Sequence, residues 1–252
     1  MDLMELMKYG SVSVSPNLVT NTWSHTTVCV VGCGGTGSRL IPLLAQAIKN
    51  HNTDIDTNPR HTNFIKHKIK LVLCDCDEGV ETKNLLRQNF LRTDVGRRKE
   101  EVFAERMSAC YGMDCNYISD KIARSNYSLF AGDNNIFFDC TDNMHARQSI
   151  EEVANGQMRS VIISGGNEDT FGQVLISFLS GWNKNRTLWD AIGTLLGIIK
   201  KEDSKSKMVF GCLPTLLELY PEFKDTEAPS CTEMVLQNEQ SMPINNLIST
   251  LM

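Results

Sequence analysis

Residues 29–42 read CVVGCGGTGSRLIP, and no other stretch constrains the fold as tightly. The run TVCVV at 27–31 is short, apolar and β-branched, which predicts a buried strand. Gly32, Gly34 and Gly37 follow at once in the order G-x-G-x-x-G, and residues 38–50 then carry a helical pattern with Pro42 early in it. Glycines here allow a tight turn and a close backbone approach. The helix start behind them leaves unpaired amides and the positive end of a dipole facing an anion. A unit of this kind can hold NAD, FAD or ATP, and alone it points only to a phosphorylated ligand.

The same alternation continues downstream. KIKLVLCDCD at 68–77, DCNYI at 114–118, NIFFDC at 135–140 and SVIISGG at 160–166 read as strands two to five. Helices are expected from about Gly96 to Ala109, stopping near Gly112, and over 143–156 with Gly156 as the cap. GQVLISFLS at 172–180 reads as a further strand that approaches like a hairpin. Residues 50–66 are polar and turn-rich and are expected to form an exposed loop. Strand and helix in turn predict a Rossmann-like, doubly wound, mostly parallel α/β sheet. Beyond Gly181 the pattern changes to helices, at 186–201, at 213–223 and weakly at the end. The expected organisation is an irregular segment at 1–26, a nucleotide-binding core at 27–181 and a helical extension at 182–252.

With 252 residues the chain can bury one large core without staples. A net charge of −5 gives no footprint for nucleic acid or an anionic membrane. The nine cysteines sit mostly in apolar strands and include no CxxC pair. That favours reduced thiols in a cytoplasm over a disulfide framework or a structural zinc. The N-terminus lacks the basic region of a secretory signal, and the apolar run at 191–199 is too short to span a bilayer.

Asp75 stands at the end of the second strand, where an acid holds ribose hydroxyls, and up to this point NAD and ATP are equally served. The next residues separate them. Asn84, Arg87 and Gln88 follow the ribose acid, and Lys99 opens the following helix. Hydride transfer develops no phosphate charge, whereas nucleotidyl transfer does, and it wants cations and amide donors aimed at the α-phosphate. Asp142 and Asn143 then lie just past the fourth strand, at the carboxyl edge of the sheet. An acid there can hold Mg²⁺ bridging phosphates. Asp139, inside the strand, reads as a buried structural acid.

Taken in order, GCGGTG, DCD with NLLRQ, GRRK and DCTDN resemble the motifs of the ThiF/MoeB superfamily, which includes the adenylation domains of ubiquitin-activating enzymes. The resemblance spans about residues 27–180. It implies that Gly32, Gly34, Gly35 and Gly37 line ATP and that Asp75 takes the ribose. It further implies that Asn84, Arg87 and Lys99 hold the triphosphate, with Gln88 and Asn143 beside them, and that Asp142 holds Mg²⁺. The implied reaction is attack of a carboxylate on the α-phosphate, the carboxylate being the C-terminal glycine of a small ubiquitin-like or sulfur-carrier protein. The resemblance also implies a set of partners: that carrier, a second copy of the chain in a homodimer, and a downstream conjugating or sulfur-transfer protein.

Farther along, the LYPE helix and APSCT at 228–232 resemble ThiF-related proteins of bacterial and phage PRTRC-type cassettes. The Cys-Thr pair also resembles the crossover cysteine motif of ubiquitin-activating enzymes. The resemblance makes Cys231 the candidate nucleophile for a thioester, with Cys212 and Cys33 as rivals. Departures accompany it. The spacer after Asp77 is one residue longer, with Gly79 as the insertion, and residues 1–38 contain no arginine where MoeB-like members supply one to a partner. Lys8 or Arg39 are the substitutes available. The zinc CxxC pairs of MoeB are missing, and no ubiquitin-fold or rhodanese domain is expected after residue 252. Adenylation of a non-protein acceptor, an inactive nucleotide-binding scaffold and an oxidoreductase are the competing readings.

Overall fold

The computed structural model describes residues 25–57, 68–157, 159–167, 172–180, 215, 217 and 248–252. Of the irregular segment expected at 1–26, residues 1–24 lie outside them and His25 and Thr26 belong to a strand; the helix expected at 186–201, Cys212 and Cys231 also lie outside, as does all but residues 215 and 217 of the helix expected at 213–223.

Six strands form one sheet in the order β3-β2-β1-β4-β5-β6. They are β1 (His25–Val31), β2 (Lys68–Cys74), β3 (Cys115–Ile118), β4 (Asn134–Asp139), β5 (Arg159–Asn167) and β6 (Gly172–Ser180). The first five run parallel, and β6 returns antiparallel along β5. The helices are α1 (Gly37–Thr57), α2 (Lys99–Tyr111), the single turn α3 (Arg124–Tyr127) and α4 (Met144–Asn155). This is the Rossmann-like α/β sheet expected, with one antiparallel edge.

Alternation along the strands explains the two layers. Val28 and Val30 of β1, Leu71 and Leu73 of β2 and Phe138 of β4 face one side, where they meet Leu40, Ile41, Ala45 and Ile48 of α1 and Phe103 and Met107 of α2. Their neighbours Cys29, Val31, Val72, Cys74 and Phe137 face the other side, against Tyr127, Ile150, Val153 and Ala154. A period of two along each strand therefore feeds two cores, as a strand covered on both faces requires. Deep in the second core the Tyr127 hydroxyl donates to Asn135 Oδ1 at 2.7 Å, so its buried polar atom is satisfied. The end of the chain covers β5: Ile248 is buried, and a Cβ on Gly165 would come within 2.5 Å of Met252 Sδ.

The helix α1 runs seven residues past its expected end at 50. Ile48 and Ile55 are both buried and lie seven residues apart, so the buried face continues through the polar NHNTDIDT. Asn52 completes the docking: its Oδ1 accepts from Ile69 N and its Nδ2 donates to Ile69 O, both at 2.9 Å. Pro42 sits inside this helix and withholds one backbone donor. The strand β2 stops at Cys74 because the chain curls there, Asp77 N bonding back to Asp75 Oδ1 at 2.9 Å. The helix α2 begins at Lys99, after Gly96 at φ +89 and an extended Arg98. It ends on Gly112 in the left-handed conformation. Gly156, by contrast, caps α4 in the right-handed region. No helix among the described residues is long and apolar enough to cross a membrane.

The turn between β1 and α1 is closely packed. A Cβ on Gly37 would lie 1.9 Å from the Gly32 carbonyl oxygen, a distance no rotamer relieves. Gly37→Ala is expected to cost about 3 kcal/mol or more, in the range of severe overpacking. Urea unfolding checks this, and an unchanged midpoint would contradict the contact.

Candidate active site

At the carboxyl ends of β1, β2 and β4 the chain leaves a cleft of about 740 Å³. It lies at the switch point, where connections from β1 and β4 leave to opposite faces, the place at which open α/β sheets bind ligands. One wall is the glycine turn. Gly32 N donates to Cys74 O at 2.8 Å, Cys33 N to Asp75 Oδ2 at 2.6 Å, and Cys140 N to Val31 O at 2.9 Å. These bonds tie the ends of all three strands to one another. The first turn of α1 contains no acidic residue, so nothing in it answers the helix dipole.

The glycines differ in why they are glycine. Gly32 has φ +90, and a Cβ there would lie 2.7 Å from Cys140 O. Gly37 is excluded from any side chain by Gly32 itself. Gly34 lines the cleft, yet the nearest atom to its missing Cβ is Gln88 Nε2 at 3.8 Å. Packing does not demand a glycine at that position; keeping the cleft open does. Gly35 lines the cleft beside it.

Facing this wall is a turn that carries Asn84, Arg87 and Gln88, all buried and all lining the cleft. Asn84 builds the turn: its Oδ1 accepts from Glu81 N at 2.8 Å, and its carbonyl accepts from Gln88 N at 2.8 Å. The start of α1 clamps the turn from behind. Ser38 Oγ accepts from Asn89 N at 3.1 Å, and Arg39 Nη2 donates to the Arg87 carbonyl at 3.2 Å. Arg39 thus supports the Arg87 backbone and is not among the cleft-lining residues. Gln88 Oε1 is buried and has no hydrogen-bond partner, an unmet polar atom in the wall of the cleft.

Lys99 reaches the same wall from the start of α2, with only 6% of its side chain exposed. Two bonds hold its strand of loop in place, Val80 N to Arg97 O and Gly96 N to Val80 O, both 2.8 Å. Gly79, the extra residue of the spacer, fits beneath them at φ +145, with Arg97 O 2.9 Å from the position of a Cβ. The Lys99 ammonium is ion-paired with Asp77. Burial pulls its pKa down, but Asp75 and Asp77 outweigh burial and hold it above the usual lysine value. Burial, then the Asp77 charge, pushes the Asp75 carboxyl up against the opposing pull of Lys99 and of its two backbone donors. Asp75 therefore lines the cleft while also fastening the glycine turn to β2.

On the β4 side, Asp139 is buried and shapes the loop, its Oδ1 accepting from Thr141 N at 3.1 Å and Thr141 Oγ1 at 2.6 Å. Asp142 stands exposed at the lip of the cleft. Asn143 lines the cleft and caps α4, its Oδ1 accepting from Ala146 N at 2.8 Å. Among the described residues no three His, Cys, Asp or Glu side chains converge on a metal position. The Asp142 carboxylate at the lip suits Mg²⁺, which takes one or two protein carboxylates and fills its remaining positions with phosphate oxygens and water.

Of the thiols near the site, Cys33 is fully buried; burial, then the charge of Asp75, raises it well above the ordinary thiol value. It is placed to pack, not to attack. Motif reading missed the far end of the cleft, lined by Asp120, Lys121 and Ile122 after β3 and by His145, Ser149 and Glu152 of α4. Their one signal is position, following a strand's carboxyl end or on the first turns of a helix at the switch point.

A sequence model of the ThiF family matches residues 11–237. No match was found among curated proteins. Solved structures similar to the chain include E. coli MccB with AMPCPP and MccA, at TM-score 0.49 and 16% identity, covering 98% of this chain and 59% of that one. E. coli MccB with ATP gives TM-score 0.47 at 17% identity, covering 89% and 52%. E. coli tRNA N6-threonylcarbamoyladenosine dehydratase, TcdA, with AMP gives 0.40 at 23%, covering 57% and 53%. The chain thus matches little more than half the length of each.

The Gly34 environment yields a test. Gly34→Ala is expected to keep the unfolding midpoint of the parent, within about 0.5 kcal/mol, while a nucleotide that raises the parent's melting temperature raises the variant's less. Equal nucleotide stabilisation of both proteins would contradict the role given to the open wall.

Proposed function

The chain belongs to the ThiF family, and on that premise we propose that it binds ATP with Mg²⁺ in this cleft and adenylates a carboxylate. The observation that carries the reading is the pair of buried cations, Arg87 and Lys99, set in one cleft with the glycine wall and the start of α1. Two buried cations on one cleft wall offer pre-positioned positive charge to a ligand's phosphates, and a dinucleotide hydride site has no use for this pair.

In the proposed reaction a carboxylate oxygen attacks the α-phosphorus. The bond from that phosphorus to the bridging oxygen breaks, and pyrophosphate leaves with the electron pair. Charge grows on the phosphoryl oxygens as this happens. Arg87 and Lys99, themselves buried, are pre-positioned in the cleft wall beside the glycine turn, where such donors act on developing phosphoryl charge. Asn84 and Gln88 hold and extend that wall, and Gln88 Oε1 is an acceptor still seeking a donor. Asp75 takes the ribose hydroxyls. Asp142, with Asn143 beside it, would hold Mg²⁺, which when bound neutralises phosphate charge as pyrophosphate departs.

The acceptor we propose is the C-terminal glycine of a small ubiquitin-like or sulfur-carrier protein. Cys231, in the extension at 182–252, takes the acyl group as a thioester: the thiolate attacks the acyl carbonyl and AMP leaves. A second copy of the chain completes the active assembly as a homodimer.

Exchange of labelled pyrophosphate into ATP, with small proteins ending in glycine supplied as acceptors, tests the reading. Asp142→Ala is expected to abolish exchange, and Arg87→Ala to lower it about 10²–10³-fold, as loss of one preorganised donor does. Cys231→Ala keeps the exchange and loses the carrier-linked band on a non-reducing gel. A band that persists in Cys231→Ala places the nucleophile elsewhere, and exchange that needs no protein carboxyl terminus moves the acceptor to another class.

A further inference from the structure

Lys99 is not poised in open space. Its ammonium is ion-paired with Asp77, and both residues line the cleft. The two partners differ sharply in surroundings: the Lys99 side chain is 6% exposed and that of Asp77 60%. Asp75, the other acid acting on Lys99, is buried, and both its oxygens already accept backbone donors.

This asymmetry decides which contact can yield. A buried ammonium stripped of its counter-charge is costly, because little water reaches it. An exposed carboxylate loses little on leaving, because water takes it back and surface ion pairs contribute little. Asp75 is fixed by its backbone bonds, so Asp77 is the side chain that can swing away. A phosphate oxygen arriving at Lys99 meets the Asp77 carboxylate on the same centre, and two anions close to one cation repel each other.

Resting on the reading of the cleft as a triphosphate site, we propose that Asp77 is a latch on Lys99 that the nucleotide's phosphates displace. The latch keeps the ammonium oriented and charged before binding, and it exchanges one anion for another so that Lys99 is never left bare. Asp77 is thus a positioning residue that sets the threshold for phosphate-bearing ligands. A nucleoside without phosphates does not engage it.

Calorimetric titration of the full chain with MgATP and with adenosine tests this. Asp77→Asn is expected to bind MgATP about 5–10-fold more tightly, the modest gain left for a mostly exposed charge after screening, with adenosine unchanged. Asp77→Glu, which keeps the charge, is expected to bind MgATP as the parent does. In a Lys99→Met background, Asp77→Asn is expected to give no gain. Weaker MgATP binding by Asp77→Asn overturns the latch, because an acid that contacts ligand or metal would lose affinity. An equal gain for adenosine, or a gain that survives without Lys99, also overturns it. A parent chain that binds no MgATP overturns the reading of the cleft and the latch with it, whereas parental binding with a weakened Asp77→Asn overturns the latch alone.

Discussion

The contact between Gly37 and the Gly32 carbonyl is what the rest of the site depends on. Because Gly37 carries no side chain, α1 can start directly beneath the turn that ends β1. Its first turn then does two things at once. It turns the positive end of its dipole toward the cleft, and through Ser38 and Arg39 it holds the backbone of residues 87–89. Any wider spacing between strand and helix would separate the glycine wall from the turn bearing Arg87 and Gln88. The site is therefore assembled by backbone proximity first and by side-chain chemistry second.

A balance of burial and charge is layered on that frame. Arg87 and Lys99 are withdrawn from water, yet carboxylates outnumber lysines and arginines along the cleft as a whole. A polyanion entering such a cleft gains from the two buried cations and is opposed by acids at the rim, unless a divalent cation accompanies it. Asp75 shows how closely structure and ligand share atoms here. It fastens the glycine turn with one oxygen and the Asp77 backbone with the other, and each oxygen retains lone-pair capacity for a ligand hydroxyl.

Much of this was legible in the sequence because it rests on local rules. Alternating apolar strands with intervening helices gave the sheet and its winding, and Arg87, Lys99 and Asp142 stand on the cleft where their motifs put them. What was not legible depended on contacts between distant segments. The extension of α1 to Thr57 looks polar until Ile55 is paired with Ile48 and Asn52 with the β2 backbone. Arg39, read as a substitute for an arginine missing from the N-terminal segment, turns to the Arg87 carbonyl instead. Asn84 reads as a phosphate ligand, but its side-chain oxygen is committed to the turn, which leaves its amide for that role. Beyond Asn143, the α4 face of the cleft carries no motif of its own.

On the proposed reading, the buried cations Arg87 and Lys99 at the switch point select a triphosphate over a dinucleotide. Equilibrium binding of MgATP and of NAD⁺ to the full chain, each in competition with the other, tests it most directly. The account predicts one MgATP bound per chain, with NAD⁺ failing to displace it at comparable concentration. Tight NAD⁺ binding with no MgATP binding would contradict it.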